Sequence, residues 1–191
     1  LQVQRLKKRK LGLKEKARSR FEASVAEFDG VLAWVVPDAE ILADVHARLA
    51  DSHENLGSLA ENPVGAEALA ALEAAVRHFD EVARRKPKDS GNVMRLAGTA
   101  FRLGSAYEAH RRHEEAISAY ARSAELADAL REEERARGAD TEPLTELVGK
   151  LQFQTAKSLR FSGRDDEAVQ AHVAAMETLE TLRGVNGFSA V

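Results

Sequence analysis

Histidine is the residue type in this sequence that most directly suggests chemistry, because an imidazole ring binds metal ions and titrates near neutral pH. The chain has six histidines and no cysteine, so a metal site built on thiolates is excluded. His110 and His113 have a spacing that metal sites use, and Glu114 follows directly. Two arginines separate these histidines, however, and the stretch is predicted to be an exposed turn. We therefore predict a solvated surface here and no metal.

The remaining candidates for chemistry are weaker. His46 and His53 lie about two helical turns apart on one predicted helix, too far to share an ion without a donor from a third element. The sequence contains no Gly-x-Ser-x-Gly nucleophile motif and no Gly-Lys-Thr/Ser phosphate loop. Asp165 and Asp166 lie at the predicted start of a helix, where acidic side chains interact favourably with the helix dipole. We predict no catalytic residue, no cofactor site and no metal site in this chain.

The elements that must position these side chains are predicted to be helices throughout. Hydrophobic residues make up 44% of the chain but aromatic residues only 5%, and most of the apolar surface comes from alanine and leucine, both strong helix formers. No stretch shows the alternation of β-branched and aromatic residues that is typical of a strand. No apolar run reaches the length of about eighteen residues that a membrane span needs. The sequence therefore predicts an all-α fold.

Glycine and proline clusters divide the chain into seven predicted helices. A long first helix over residues 3–36 ends before Pro37, because proline cannot continue a helix and disfavours helix at the residue before it. Asp38 is predicted to cap the second helix, and Thr141 or Asp140 the sixth. The six shorter helices and a frayed tail are predicted over residues 39–60, 66–85, 92–110, 114–137, 143–161, 166–183 and 185–191.

The six shorter helices form three pairs that share a sequence pattern. In the second pair, Gly104 lies mid-way along the first helix and Ala116 lies early in the second. In the third pair, Ala156 and Ala168 hold the same positions. Small residues at such positions let two helix axes approach to roughly 8 Å. The residues predicted to pack the helices of a pair together are Gly104, Tyr107, Ala116, Tyr120, Ala156, Gly163 and Ala168.

This pattern resembles the tetratricopeptide repeat, in which helix pairs stack into a right-handed superhelix. The resemblance implies a short superhelix of three pairs over residues 38–184. Equivalent alanines, Ala75, Ala116 and Ala168, are 41 and then 52 residues apart, whereas the family repeats about every 34 residues. Arg111 or His113 also stands near a turn where the family usually has glycine. Longer helices and longer loops are expected to absorb the extra residues.

A second resemblance rests on the order of several segments along the chain. A basic segment is followed by Ala17-Arg18-Ser19-Arg20-Phe21-Glu22-Ala23-Ser24-Val25, Val76-Arg77-His78-Phe79, a Pro-Lys-Asp loop and Phe101-Arg102-Leu103-Gly104. This order is similar to the region after the membrane helix in bacterial Ser/Thr protein kinases that carry C-terminal tetratricopeptide repeats. It implies that the chain is an excerpt of a membrane-attached kinase and serves as its sensor or scaffold. No Gly-rich loop, His-Arg-Asp or Asp-Phe-Gly motif occurs here, so this segment is predicted not to be an enzyme.

In tetratricopeptide arrays the first helix of each pair lines the concave ligand groove. Carried over to this sequence, the resemblance implies a peptide groove lined by Asp44, Asp51, Glu54, Asn55, Phe101, Ser105, Glu108, Lys150, Phe153, Lys157 and Arg160. An acidic first half that faces a basic end would suit an extended peptide or a helix with graded charge. The alternative is that these residues form the solvated faces of their helices.

The first twenty residues are strongly basic. They carry nine Lys or Arg and one acid, Glu15, a charge of 9 − 1 = +8 in a chain whose net charge is −3. Within a juxtamembrane-like helix of residues 1–37, the stretch Lys7–Arg20 has three interpretations: binding to anionic lipid at about 1 kcal/mol per cation, the flank of a membrane helix, or binding to nucleic acid. Without aromatic stacking partners, nucleic acid is the least favoured.

Three hypotheses about function follow from the sequence. The first is a non-catalytic repeat module that binds a protein or self-associates as part of a membrane-attached Ser/Thr kinase. The second is a stand-alone tetratricopeptide adaptor, and the third is a membrane-surface or nucleic-acid binder that uses the basic helix. Lysine-rich flanks favour the cytoplasmic side of a membrane, whereas a kinase with one span and C-terminal repeats would place the repeats outside. The sequence therefore does not determine on which side of a membrane the repeats would lie.

Overall fold

A computed structural model describes residues 2–34, 38–87 and 89–185 of the chain. Across these ranges all regular structure is α-helical and no strand is present, which confirms the predicted all-α class. The helices are α1 (Gln2–Ala33), α2 (Ala39–Leu59), α3 (Ala66–Arg85), α4 (Ser90–Ala109), α5 (His113–Ala136), α6 (Glu142–Phe161) and α7 (Asp165–Val185).

The ends of the helices follow local capping chemistry. Asp38 caps α2 as predicted, because its carboxylate accepts hydrogen bonds from the backbone N–H groups of the second and third residues after it, at 2.8 and 3.2 Å. At the start of α6 the Asp140 carboxylate accepts from the Glu142 N–H at 2.9 Å, whereas the side chain of Thr141 accepts no capping bond. α1 ends at Ala33, before its predicted end. The predicted end itself, near Pro37, and the predicted tail after Val185 lie outside the described residues.

The helices group into two compact units, Leu1–Pro87 and Lys88–Val191. In the first unit α2 packs against both α1 and α3. The Lys14 ammonium donates to the Ala60 carbonyl at 3.2 Å, and the Ser24 and Ser52 hydroxyls lie 3.0 Å apart, so α1 runs antiparallel to α2. Within the first unit α1 packs along α2. The predicted division into residues 1–37, 38–184 and 185–191 stays a prediction.

The contact between α2 and α3 is close at Gly57. A Cβ atom on Gly57 would lie 3.5 Å from the Cβ of Ala71, an ordinary van der Waals distance. Leu49, Ala75 and Phe79 are fully buried around this contact. The antiparallel pair therefore has a closely packed apolar interface, in line with the small residues of the first predicted pair.

In the second unit each of the helices α4 to α7 packs against the next. Gly104 of α4 lies against the ring of Tyr120 of α5, and Gly149 of α6 lies against Leu179 of α7. The buried core cluster consists of Ala116, Tyr120, Ala127, Val148 and Leu151. Short residues thus stand opposite large ones at two of the helix crossings, which lets the backbones approach closely.

The turns that join α4 to α5 and α6 to α7 have the same backbone structure, 52 residues apart. Arg111 has φ 58° in the first turn and Gly163 has φ 81° in the second, both in the left-handed region. In each turn a backbone N–H donates to the carbonyl five residues before it. The Arg112 N–H donates to the Tyr107 carbonyl at 3.0 Å in the first turn, and the Arg164 N–H makes the equivalent bond at 2.9 Å in the second. The predicted offset between the second and third pairs therefore holds at the level of individual hydrogen bonds.

The first turns of α5 and α7 also match. Arg112 Nε donates to Glu115 at 2.9 Å, and Arg164 Nε donates to Glu167 at 2.8 Å. The backbone carbonyl of each arginine accepts a hydrogen bond from the N–H of the buried alanine four residues later, at 3.0 and 2.9 Å. The two helix pairs are therefore built on one local motif.

Within the part of the chain that the structure describes, no helix combines the length and apolarity that crossing a membrane requires.

Candidate partner-binding surface

One face of α4 presents three of the predicted groove residues over a buried tyrosine. Phe101, Ser105 and Glu108 follow one another at spacings of four and three residues and share this face. Beneath them the Tyr120 hydroxyl of α5 lies 3.1 Å from both the Ser105 hydroxyl and the Glu108 carboxylate. Its single proton is donated to one of the two at a time. The ring itself is 1% exposed and contacts the Phe101 ring, with centroids 5.7 Å apart.

Burial keeps the Tyr120 hydroxyl protonated. Desolvation and, to a smaller extent, the neighbouring Glu108 carboxylate raise the pKa of Tyr120 to about 12, against the opposing effect of the Ser105 hydrogen bond. The phenol is therefore a neutral donor at any physiological pH. Its hydrogen bond can therefore orient the Glu108 side chain.

A face of α6 is joined to this face of α4 by an ion pair. Phe153, Lys157 and Phe161 follow at spacings of four residues and share one side of the helix. The Lys157 ammonium lies 2.6 Å from the Glu108 carboxylate. Phe153 is 51% exposed and Phe161 is 61% exposed. We call the six residues Phe101, Ser105, Glu108, Phe153, Lys157 and Phe161 the α4–α6 surface.

A cavity of about 450 Å³ opens at one end of the α4–α6 surface, lined by Glu108, Arg111, His113 and Phe161. The rings of His113 and Phe161 stack with centroids 5.5 Å apart. The Nδ1 atom of His113 is buried and makes no hydrogen bond to any residue that the structure describes. A cation, a carboxylate, an imidazole and an exposed aromatic ring thus converge on this cavity.

The other predicted groove residues of α6 lie near this surface but make separate contacts. The Lys150 ammonium pairs with Glu146 at 2.5 Å, one turn earlier on the same helix. Arg160 is exposed. The Phe153 ring meets the edge of the His172 ring of α7, with centroids 5.1 Å apart. The basic character predicted for this helix is therefore present, although the cations do not all face one groove.

The four predicted groove residues of the first pair divide between two faces of α2. Asp44 accepts from the Lys86 ammonium at 2.8 Å, at the α3 side. Asp51 and Asn55 instead line a groove of about 720 Å³ between α2 and α1. The backbone of Glu54 accepts from the Ser58 hydroxyl at 3.0 Å. Since α1 packs on α2, Asp51 and Asn55 face this helix, which the sequence did not indicate.

The residues predicted to pack the helix pairs take two different roles. Gly104, Ala116, Tyr120, Ala156 and Ala168 are all buried at helix crossings. Tyr107 is half-buried, and the guanidinium of Arg112 lies 4.4 Å above its ring. Gly163 is exposed, and no atom lies within 4 Å of the point where a Cβ would stand, so its role is to permit the left-handed turn.

Two residues of this region were not singled out from the sequence. Phe161 completes a spacing of four residues after Phe153 and Lys157, and that spacing was the signal that could have found it. Gly149 lies where a Cβ atom would come within 2.6 Å of Leu179, a contact with no signal in the local sequence.

The histidines are not arranged as a metal centre. Among the described residues, no group of three or more His, Asp or Glu side chains is placed to hold a metal ion. The ring of His78 on α3 lies between the rings of His46 and His53 and contacts both. His46 Nδ1 is 3.0 Å from His78 Nδ1, and the His53 ring stacks on the His78 ring.

In comparisons with known proteins, no protein-family model matches the sequence and no curated protein is significantly similar to it.

Proposed function

We propose that this chain is a non-catalytic helical-repeat module that binds a protein partner through the α4–α6 surface. In this proposal the three helix pairs form a short, right-handed, tetratricopeptide-like superhelix. The shared turn structure of α4–α5 and α6–α7, with an offset of 52 residues between Ala116 and Ala168, supports the repeat architecture.

The observation that carries the proposal is the exposure of two phenylalanines beside a fixed ion pair. Phe153 and Phe161 lie one turn to either side of Lys157 on α6 and remain largely exposed. Exposed aromatic rings beside ordered polar groups are typical of binding surfaces, because rings supply most of the affinity and polar groups orient the partner.

The chemistry of the surface indicates the kind of partner. Arg111 and Lys157 place positive charge beside the two exposed rings, and Arg160 adds a third cation on α6. A peptide that offers two apolar side chains about two helical turns apart, with an acidic residue between or beside them, would match this arrangement.

Selection of binding peptides provides the test. The immobilised chain is used to select peptides from a displayed random library, and Kd is then measured for the selected peptides against wild type and the Phe153→Ala/Phe161→Ala variant. We expect the double variant to weaken binding about tenfold or more, which corresponds to ~1.4 kcal/mol or more. Acidic and apolar residues should be enriched in the selected sequences.

The matched control removes exposed apolar side chains from another helix. Val169 and Val173 of α7 are 63% and 48% exposed, so a Val169→Ala/Val173→Ala variant truncates similar surface away from the proposed site. Peptides that bind the phenylalanine variant as tightly as wild type, or that lose affinity only in the valine variant, would refute the assignment of the α4–α6 surface.

The attachment of this module to a membrane-anchored Ser/Thr kinase is part of the proposal. It rests on the order of segments along the chain and has a direct test in the upstream coding sequence. An apolar span preceded by kinase motifs is required there. Any other upstream sequence favours the stand-alone adaptor, and it leaves the α4–α6 surface proposal unaffected.

A second candidate function is binding to anionic membrane surfaces through Lys7–Arg20. Leu6, Leu11 and Leu13 are exposed on α1 by 59%, 53% and 62%, interleaved with cations, and this mixture of apolar and basic residues is typical of interfacial helices. Sedimentation with phosphatidylserine vesicles tests it: a Lys7→Glu/Lys8→Glu/Lys10→Glu variant should lose binding that wild type shows. Retention of wild type on DNA but not on vesicles would assign the helix to nucleic acid instead.

A further inference from the structure

Three histidines from two helices meet in the first unit. His46 and His53 lie on α2, and His78 comes from the antiparallel helix α3. The Nδ1 atoms of His46 and His78 are 3.0 Å apart, within hydrogen-bond distance. The His53 and His78 rings are stacked, with centroids 5.6 Å apart and planes inclined by 7°. All three rings are partly buried at the α2–α3 interface.

The contact between His46 and His78 restricts their protonation. A hydrogen bond between two Nδ1 atoms needs one donor and one acceptor, so at least one of the two imidazoles is neutral whenever the contact exists. If both rings become imidazolium, the two Nδ1 atoms are both donors and the hydrogen bond is lost. Stacked His53 and His78 rings add a second unfavourable pair when both are charged.

The charged groups around the cluster do not compensate for added protons. On α3, Arg77, Arg84 and Arg85 all disfavour protonation of the cluster. Glu81 acts in the opposite direction on His46, but its carboxylate is hydrogen-bonded to Arg84 and Arg85. From α1, the Asp29 carboxylate alone acts in the opposite direction, on His53 and His78. These charged groups lie on α1 and α3, the two helices that pack against α2.

Burial and these charges hold the histidines neutral. Desolvation, followed by the neighbouring His46 and His53, lowers the pKa of His78 to about 4. Desolvation also lowers the pKa of His46 and of His53. Because the folded pKa values lie below the unfolded value near 6.5, the unfolded chain binds more protons, and stability present above pH 6.5 is lost as the pH falls toward 4.

We propose that His46, His53 and His78 form an acid-sensitive contact that holds α3 against α2 when neutral and releases it when the cluster gains protons. The contact makes the first unit responsive to acidification in a range where most carboxylates stay ionised. Release of α3 would also alter α2, whose other face lines the groove against α1. This inference rests on the first unit alone and is independent of the α4–α6 surface.

Histidine titration by NMR is the first test and uses the wild-type chain. With EDTA present to remove adventitious metal, the chemical shifts of all six imidazoles are followed between pH 7.5 and 3.5. We expect the three cluster histidines to titrate below the ordinary histidine value near 6.5. Amide hydrogen exchange over the same range, expressed as protection factors relative to the intrinsic exchange rate at each pH, should lose protection in α2 and α3 before it does in α4 to α7. Ordinary titration of His46 and His78 would overturn the proposal.

Thermal unfolding of matched variants is the second test. Wild type should lose about 5 °C or more in Tm for the first unit between pH 7.5 and 5. The His78→Gln variant should lose less than half as much, because glutamine keeps a polar side chain at this position and does not titrate. His110→Gln, which removes an exposed histidine outside the cluster, should keep the full loss. An equal loss in all three proteins would overturn the proposal, and the NMR titration decides the matter if His78→Gln fails to fold.

Discussion

Gly104 of α4 lies so close to Tyr120 of α5 that a Cβ atom on the glycine would stand 2.7 Å from two carbons of the tyrosine ring. The ring fills the space that the missing side chain leaves, and its hydroxyl reaches the adjacent Ser105 and, one turn further along α4, Glu108. One close helix crossing therefore does two things. It packs the core of the second unit, and it orients the carboxylate at the centre of the α4–α6 surface.

The first prediction is that Gly104→Ala destabilises the second unit. The added methyl group must displace a buried aromatic ring, and overpacking of this kind costs about 1–3 kcal/mol. Gly98→Ala on the same helix is the matched control, because nothing lies within 4 Å of a Cβ there. The control should gain roughly 0.5–1 kcal/mol from helix propensity. Urea unfolding measures both, and equal effects of the two changes would contradict the packing.

The second prediction concerns the Tyr120 hydroxyl. Tyr120→Phe keeps the buried ring and removes the donor to Glu108, so we expect a loss of about 1.5–3 kcal/mol in the free energy of unfolding, as for hydrogen bonds to charged groups. In a Glu108→Gln background the same change should cost less, because the charged acceptor is already absent. A double-mutant cycle by chemical denaturation measures this coupling. A coupling energy near zero would show that the hydroxyl does not orient the carboxylate.

The third prediction tests the register of the helix pairs. Ala116 and Ala168 are buried where α5 and α7 begin, so Ala116→Arg and Ala168→Arg should each unfold the helix pair that contains them, at a cost of about 3 kcal/mol or more. Ala129→Arg on the exposed side of α5 is the control and should melt like wild type. Circular dichroism melting distinguishes these outcomes. Wild-type melting of the two buried variants would refute the register.

The fourth prediction follows from the shared turn. Arg111 has φ 58° in the position that Gly163 holds with φ 81° in the following pair. Since a left-handed conformation costs a non-glycine residue roughly 1–2 kcal/mol, Arg111→Gly should raise the free energy of unfolding by up to about 1 kcal/mol, and Gly163→Ala should lower it by a similar amount. Opposite signs in urea unfolding are the expected result. Destabilisation by both changes would show that the Arg111 side chain matters more than its backbone.

Much of the secondary structure could be predicted from the sequence. Helical periodicity, caps and breakers are local properties, so the seven helices and the Asp38 cap were found from residues within a turn or two of each feature. The offset of 52 residues between Ala116 and Ala168 was also visible, because repeated small residues mark positions where helices must approach. The sequence by itself determined which residues are helical and where two of the helix crossings lie.

The tertiary structure decided which side chains meet. The contact of His46 with His78 joins residues 32 apart in the chain, and the contact of Gly149 with Leu179 likewise depends on how far one helix slides along its neighbour. This slide is set by the fit of many side chains across an interface, which no local pattern records. For the same reason the sequence did not indicate that the groove lined by Asp51 and Asn55 is formed against α1. Periodicity orients a residue about its own helix axis, and only packing determines what it faces.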